Sequence, residues 1–321
     1  MKKLLTKIAL VTAGISGVAY AQQDPQFTQF MFNKLVFNPG YAGTSGKICG
    51  VAQFRQQWVS FPGAPQSMAL SGDMPISGLP IGVGLNVMTD NIGTLSTFYL
   101  RGAGSFLISM PGKGKLGIGL DLGVIQKKLN GPWIVPEPLA EDKHIPGTYS
   151  SFTNPNFSKL SYDVGFGAFY QIPDKFYVGI SSTHLPAQTL TNQNLGFKVS
   201  RHYYFTAGYN YEVNTWLTVS PNILYKSDLA SSSLDLNCNL VWFRAFWVGG
   251  TYRLNDAGAF LMGLQQGFGA GNKYTAKFGY SYDFTTSKLR TYSKGTHEIF
   301  LGVCYAPKVH TPTHYISDRF D

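Results

Sequence analysis

Hydrolysis, metal ligation and redox chemistry need convergent side chains, and this chain offers six histidines, three cysteines and 17 acidic side chains as raw material. Of His144, His184, His202, His297, His310 and His314, only the last two stand four apart, the spacing that places two imidazoles on one helical face. Pro312 lies between them and interrupts such a helix, so no metal site is expected there. Cys49, Cys238 and Cys304 are odd in number and lack metal-ligand spacing; an oxidising compartment would allow one pair and a free thiol. Cys238 and Cys304 pattern with lipid-facing positions, where a thiol acts as a small hydrophobe. Gly263-Leu264-Gln265-Gln266-Gly267 has the outer glycines of a nucleophile elbow but no central serine. The sequence thus predicts no catalytic residue, cofactor or small-molecule substrate.

A second polar set is more informative. Arg55, Gln57, Arg101, Asp121, Asp163, Lys277 and Asp283 recur on one face of alternating runs, and their signs balance. Inside a closed sheet they would pair across a polar interior, because a lone buried charge is costly. A channel lining is the other reading.

The elements that position them follow from period-two alternation between Ile48 and Tyr305. Leu116, Ile118, Leu120, Leu122 and Val124 oppose Gly117, Gly119, Asp121 and Gly123. Leu160, Tyr162, Val164, Phe166, Ala168 and Tyr170 oppose Ser161, Asp163, Gly165 and Gly167. Tyr274 to Phe284 repeats the pattern, and such runs reach the ~9–11 residues that a tilted membrane strand needs. About fourteen runs, an even number, predict an all-β transmembrane antiparallel barrel. Short connections (Pro75-Ile76-Ser77-Gly78, Pro111 to Gly114, Pro173-Asp174-Lys175, Val213-Asn214-Thr215, Phe243-Arg244, Gly269 to Asn272) fall at every second position. Long ones (Leu129 to Ser158, Leu185 to Lys198, Thr285 to Gly295) fall at the other end. That asymmetry separates a membrane barrel from a soluble sandwich.

Composition agrees: 36 Gly, 19 Tyr and 23 Phe with 13% charged residues suit twisted strands with aromatic belts. Trp216, Trp242 and Trp247, beside short turns, are expected in such a belt. Lys2 and Lys3, an apolar run over Ile8 to Val18 and Ala19-Tyr20-Ala21 have the order of a secretory signal, residues 1–21. Residues 22–46 cannot face lipid and either plug the lumen or lie in the periplasm. The barrel is expected over 47–306 and a periplasmic tail over 307–321, beside the N-terminus. The net charge of +9, or +6 without Lys2, Lys3 and Lys7, is dispersed; it supports contact with lipopolysaccharide phosphates and gives no support to nucleic-acid binding.

The segment Asp24-Pro25-Gln26-Phe27-Thr28-Gln29, followed by Asn38-Pro39-Gly40-Tyr41-Ala42-Gly43 and then Phe54-Arg55-Gln56-Gln57-Trp58, resembles the PorP/SprF family of type IX secretion membrane proteins. Gly295-Thr296-His297-Glu298-Ile299 resembles that family's last strand. The chain departs at Gly40, where the family pattern has alanine, and in its tail. The resemblance implies a non-enzymatic outer-membrane protein of Bacteroidetes whose partners are a secreted surface adhesin and other type IX secretion components, in a role extending to gliding motility. An SprF-like role, holding the adhesin's C-terminal domain, is the leading expectation. A link to the periplasmic motor ring and a passive porin are the alternatives, with a lipid-acting barrel enzyme further off. The loop carrying Trp133, Ile134, Val135, Leu139 and Ile145 is the expected partner contact. The Arg55-Gln57-Trp58 run is expected to anchor the N-terminal segment.

Overall fold

The alternating runs close on themselves. The computed structural model describes residues 24–110, 114–129, 157–192, 195–269, 271 and 273–307. Its strands are β1 Ile48–Gln56, β2 Gln66–Pro75, β3 Ile81–Ile92, β4 Leu95–Met110, β5 Gly114–Leu129, β6 Phe157–Ile172 and β7 Phe176–Thr183. They continue as β8 Thr189–Asn192, β9 Leu195–Lys198, β10 His202–Tyr209, β11 Tyr211–Glu212, β12 Leu217–Ser227, β13 Ser232–Trp242, β14 Phe246–Arg253, β15 Ala257–Phe268, β16 Tyr274–Thr285 and β17 Thr296–Tyr305. Fourteen of them form an antiparallel barrel. Each pairs with its barrel neighbour: β7 joins β10 past the β8–β9 hairpin, β10 joins β12 past β11, and β1 pairs with β17 to close the ring. Among the described residues closure gives every barrel strand a hydrogen-bonded neighbour on both sides, as backbone groups in lipid require.

Alternation along each strand sorts the side chains. On β5 and β6, Leu120, Leu122, Leu160 and Tyr162 point outward, with Leu122 66% exposed, while Asp121 and Asp163 are buried. Connections at one end are short: 76–80 between β2 and β3, 173–175 between β6 and β7, 243–245 between β13 and β14. The other end carries 57–65, 184–201 and 286–295, along with tight links at 93–94, 228–231 and 254–256; it also holds the end of β5 and the start of β6, and residues 130–156 between them lie outside the described residues. Long loops mark the exterior end of an outer-membrane barrel and short turns the periplasmic end.

Residues 24–46 run through the lumen from one mouth to the other. Asp24 meets His184 and Tyr204 at the loop end, Asn33 meets Gln53 in the middle, and Gly43 meets Asp73 at the turn end. Phe27, Phe30, Met31, Val36 and Phe37 are buried in the main apolar cluster with Met88, Tyr99, Ile125 and Leu261 of the wall. Each such side chain contributes about 1.5–3 kcal/mol by leaving water. Leu190 and Val199, in and after the β8–β9 hairpin, join the same cluster and cover the loop-end mouth. Of the two placements open to this segment, it takes the lumen.

Two expectations change. The described chain starts at the loop end and leaves β17 at the turn end, so Asp24 and Pro307 lie at opposite mouths rather than side by side. Cys304 faces inward and forms a disulfide with Cys49, its cross-strand partner on β1. A lipid-facing assignment failed there because the alternation of β17 puts Thr296, Glu298, Phe300 and Cys304 on the lumen side. Cys238 is exposed on the outer face, as expected.

Candidate functional site

The site is the contact between the lumenal segment and the barrel wall. Three layers of contact hold it, each using residues whose positions on their strands make them face inward.

Nearest the loop end lies a charged knot. Arg55 of β1 is 1% exposed and donates through Nη2 to Asp283 Oδ2 at 2.7 Å and through Nη1 to Glu298 Oε2 at 3.0 Å. Arg55 Nη1 also donates to Thr28 Oγ1 at 2.8 Å, and that hydroxyl donates to Asp283 at 2.7 Å. Glu298 accepts the backbone N–H groups of Thr28 and Gln29 at 2.7 and 2.9 Å. Thr28 and Gln29 thus present donors to a carboxylate pair that Arg55 bridges; charge-assisted bonds of this kind are the strong ones. Arg253 of β14 pairs with Asp235 at 3.0 Å and approaches Asp283 at 3.7 Å, extending the network around the wall.

Beside it, Asp24 sits under the loop-end cover. Its carboxylate is 2.9 and 3.1 Å from His184 Nε2 and accepts from Tyr204 Oη at 2.6 Å, while Lys226 Nζ donates to its backbone carbonyl at 3.1 Å. Burial alone would push Asp24 up, but His184, His202 and Tyr204 hold it well below the usual carboxylate range. Burial pulls the His184 imidazole down; Asp24 and Asp163 outweigh it and carry the group up to about 9. Asp24, His184 and His202 are also the group among the described residues whose ligand atoms could hold a metal ion.

The third layer is a fitted groove. Gly117 and Gly119 of β5, Gly167 of β6 and Gly179 of β7 face inward where the turn Asn38-Pro39-Gly40 lies. A Cβ on Gly119 would stand 2.5 Å from the Pro39 carbonyl, and one on Gly167 would stand 2.2 Å from Asn38 Oδ1. Asn38 Nδ2 donates to the carbonyls of Ala168 and Ile180 at 3.0 Å each, and its Oδ1 accepts from Gly40 N–H at 2.8 Å. Gly40 packs in the same way: a Cβ there would meet Gly117 O at 2.7 Å, which gives the departure from alanine a structural reason. Gly43, at φ +69°, donates its N–H to Asp73 Oδ2 at 3.0 Å.

At the turn end a cavity of about 110 Å³ remains, lined in part by Phe32, Lys34, Tyr41, Asp73, Lys277 and the Cys49–Cys304 disulfide. Lys34 Nζ lies 4.2 Å above the Tyr177 ring; burial, then the Lys277 ammonium, lower it to about 7.

Arg55, Arg101, Asp121, Asp163 and Asp283 are all buried inside, as the alternation implied. They pair rather than line an open channel: Arg101 stands 3.9 Å from Asp121 and donates to the Val36 carbonyl at 3.1 Å, and Asp163 bonds His184. Lys277 is half-buried, 5.6 Å from the Phe32 ring. Gln57 lies beyond β1, where its backbone N–H donates to Pro65; Trp58 N–H donates to Thr296 Oγ1, so of that run Arg55 is the residue that grips the segment. Trp247 is not in an interface belt: it is 2% exposed and packs on Phe32, ring centroids 4.9 Å apart. Trp216, by contrast, is exposed beside Phe243. Trp133, Ile134, Val135, Leu139 and Ile145 lie outside the described residues. Glu298, Asp235, Arg253 and the histidine pair were not singled out for the lumen; alternation on β17 would have exposed Glu298, while His184 sits past the end of β7.

A closed fourteen-strand barrel with lipid-facing apolar residues outside and a fixed segment inside defines an outer-membrane protein. The chain belongs to the family of type IX secretion system membrane proteins PorP/SprF, whose model matches residues 19–303. No curated protein matches the sequence. Among solved structures it is similar to the toluene transporter TbuX of Ralstonia pickettii, at 11% identity over 84% of this chain and 92% of that one, TM-score 0.49. It is also similar to the CymD monoaromatic hydrocarbon channel, at 13% identity over 92% and 96%, TM-score 0.49. The Acinetobacter baumannii outer membrane protein Omp33 matches at 8% identity over 81% and 99%, TM-score 0.39.

Proposed function

We propose that this barrel is a non-enzymatic component of type IX secretion that supports export of a large adhesin and holds its C-terminal domain at the cell surface, with gliding motility depending on that adhesin. One observation carries this reading over a porin: residues 24–46 fill the lumen from mouth to mouth and are fixed by buried ion pairs and a glycine groove. A filled barrel offers its outer loops and rim for binding. The Trp133-Ile134-Val135 loop, with Leu139 and Ile145, is the proposed docking segment, since aromatic and aliphatic anchors dominate protein interfaces. Membrane lipid and lipopolysaccharide surround the wall.

The test is gentle detergent extraction of the tagged protein from its native membrane, followed by mass spectrometry of what stays bound. A large secreted protein, lost on Trp133→Ala with Ile134→Ala, is the expected result. Recovery of periplasmic secretion components instead would replace this reading with the motor-ring link. A bare barrel that conducts steadily would restore the porin.

A further inference from the structure

We propose that Asp24, His184 and His202 bind one zinc ion, which latches the loop-end part of the lumenal segment to the barrel mouth. The three side chains come from separate parts of the chain: the segment, the residue after β7 and the first residue of β10. All three are buried, and their ligand atoms lie within 4.8 Å of one another. Asp24 Oδ1 and His184 Nε2 are 2.9 Å apart. Ligand atoms on a tetrahedral zinc, at bonds of roughly 2.0–2.1 Å, sit roughly 3.3 Å apart, so the pair opens by only a few tenths of an ångström.

The outer contacts have the form that orients metal ligands. Each histidine places Nδ1 against an acceptor, His184 on Asp163 Oδ1 at 3.0 Å and His202 on the Ser200 carbonyl at 3.0 Å. Nδ1–H donation to a carboxylate or carbonyl is the usual second contact of a metal-bound imidazole, because it turns the Nε2 lone pair inward. Nε2 of His184 meets the Asp24 carboxylate, while His202 accepts the Asp24 N–H through Nε2 at the long distance of 3.3 Å and brings Nδ1 to 4.0 Å from Asp24 Oδ2. Tyr204 holds Asp24 Oδ2 at 2.6 Å and leaves Oδ1 for the metal. On binding, the ion takes the place of the His184 Nε2 proton, which passes to solvent, and the His202 lone pair exchanges the weak N–H contact for the metal. Two imidazoles and one carboxylate leave a fourth position for water and favour zinc over the oxygen-seeking magnesium and calcium.

The latch is independent of what the outer loops bind. Full-length protein made without a histidine tag, stripped with a chelator in detergent, is titrated with zinc by calorimetry, and bound metal is counted by mass spectrometry. One zinc per chain is expected, with affinity lowered at least tenfold by His202→Ala and by Asp24→Asn. His297→Ala, on a half-buried ring bonded to Tyr280 at 2.6 Å, should leave the affinity unchanged. Zinc should also slow proteolysis within residues 24–46 in the wild type and not in His202→Ala. Failure to bind one zinc per chain, or binding that persists unchanged in both His202→Ala and Asp24→Asn, overturns the proposal.

Discussion

Arg55 shows why single residues matter in a filled barrel. Removing its guanidinium leaves Glu298 buried without its cation and Asp283 with only Arg253 at 3.7 Å, and breaking a buried pair in this way costs about 3–5 kcal/mol. Arg55→Ala should therefore lower the midpoint of urea unfolding in detergent micelles, while Arg244→Ala, whose pair with Glu212 is exposed, should leave it nearly unchanged. Lys34 acts in the opposite sense. Its pKa of about 7 in the folded chain, against an ordinary 10.5, means the native state binds fewer protons than the unfolded state between those values. Its cost is full below pH 7 and is relieved as pH rises toward 10.5. Lys34→Met is expected to stabilise the barrel by about 2–4 kcal/mol at pH 6, with the gain shrinking toward pH 10. Unfolding curves at both pH values check this, and a gain that grows with pH would contradict it.

At the scale of elements, the glycine face of β5 to β7 and the turn at Asn38 are one device. Glycine weakens a strand, yet here its missing side chains form the groove that the segment occupies. Gly167→Ala should push Asn38 out, and faster amide exchange over residues 36–44 is the measurement. Gly104→Ala on β4, where a Cβ meets open space, is the matched control and should change nothing.

For the whole molecule, the segment decides whether the barrel is a pore. Purified protein in planar bilayers should carry no steady current, and a large stable conductance would show that the lumen is open. The Cys49–Cys304 disulfide joins the first and last barrel strands across 255 residues. Closing so long a loop restricts the unfolded chain, so reduction or Cys49→Ser should cost a few kcal/mol, about the upper end for one crosslink. Heat-shifted electrophoresis should show earlier unfolding for Cys49→Ser than for Cys238→Ser, whose thiol is free on the outer face.

Barrel class, strand parity, the inward set of Arg55, Arg101, Asp121, Asp163 and Asp283, and the family wording of residues 24–43 were all legible in the sequence. Lipid and lumen impose opposite demands on adjacent residues, and that conflict is written locally, two positions at a time. Cross-lumen partnership is not local. Whether residues 24–46 thread the lumen, whether Trp247 faces Phe32 or lipid, and whether Cys304 meets Cys49 depend on strand register around a closed ring. The convergence of Asp24 on His184 and His202 adds a loop whose path no alternation describes. Those contacts join residues more than 150 apart, and only ring closure brings them within bonding distance.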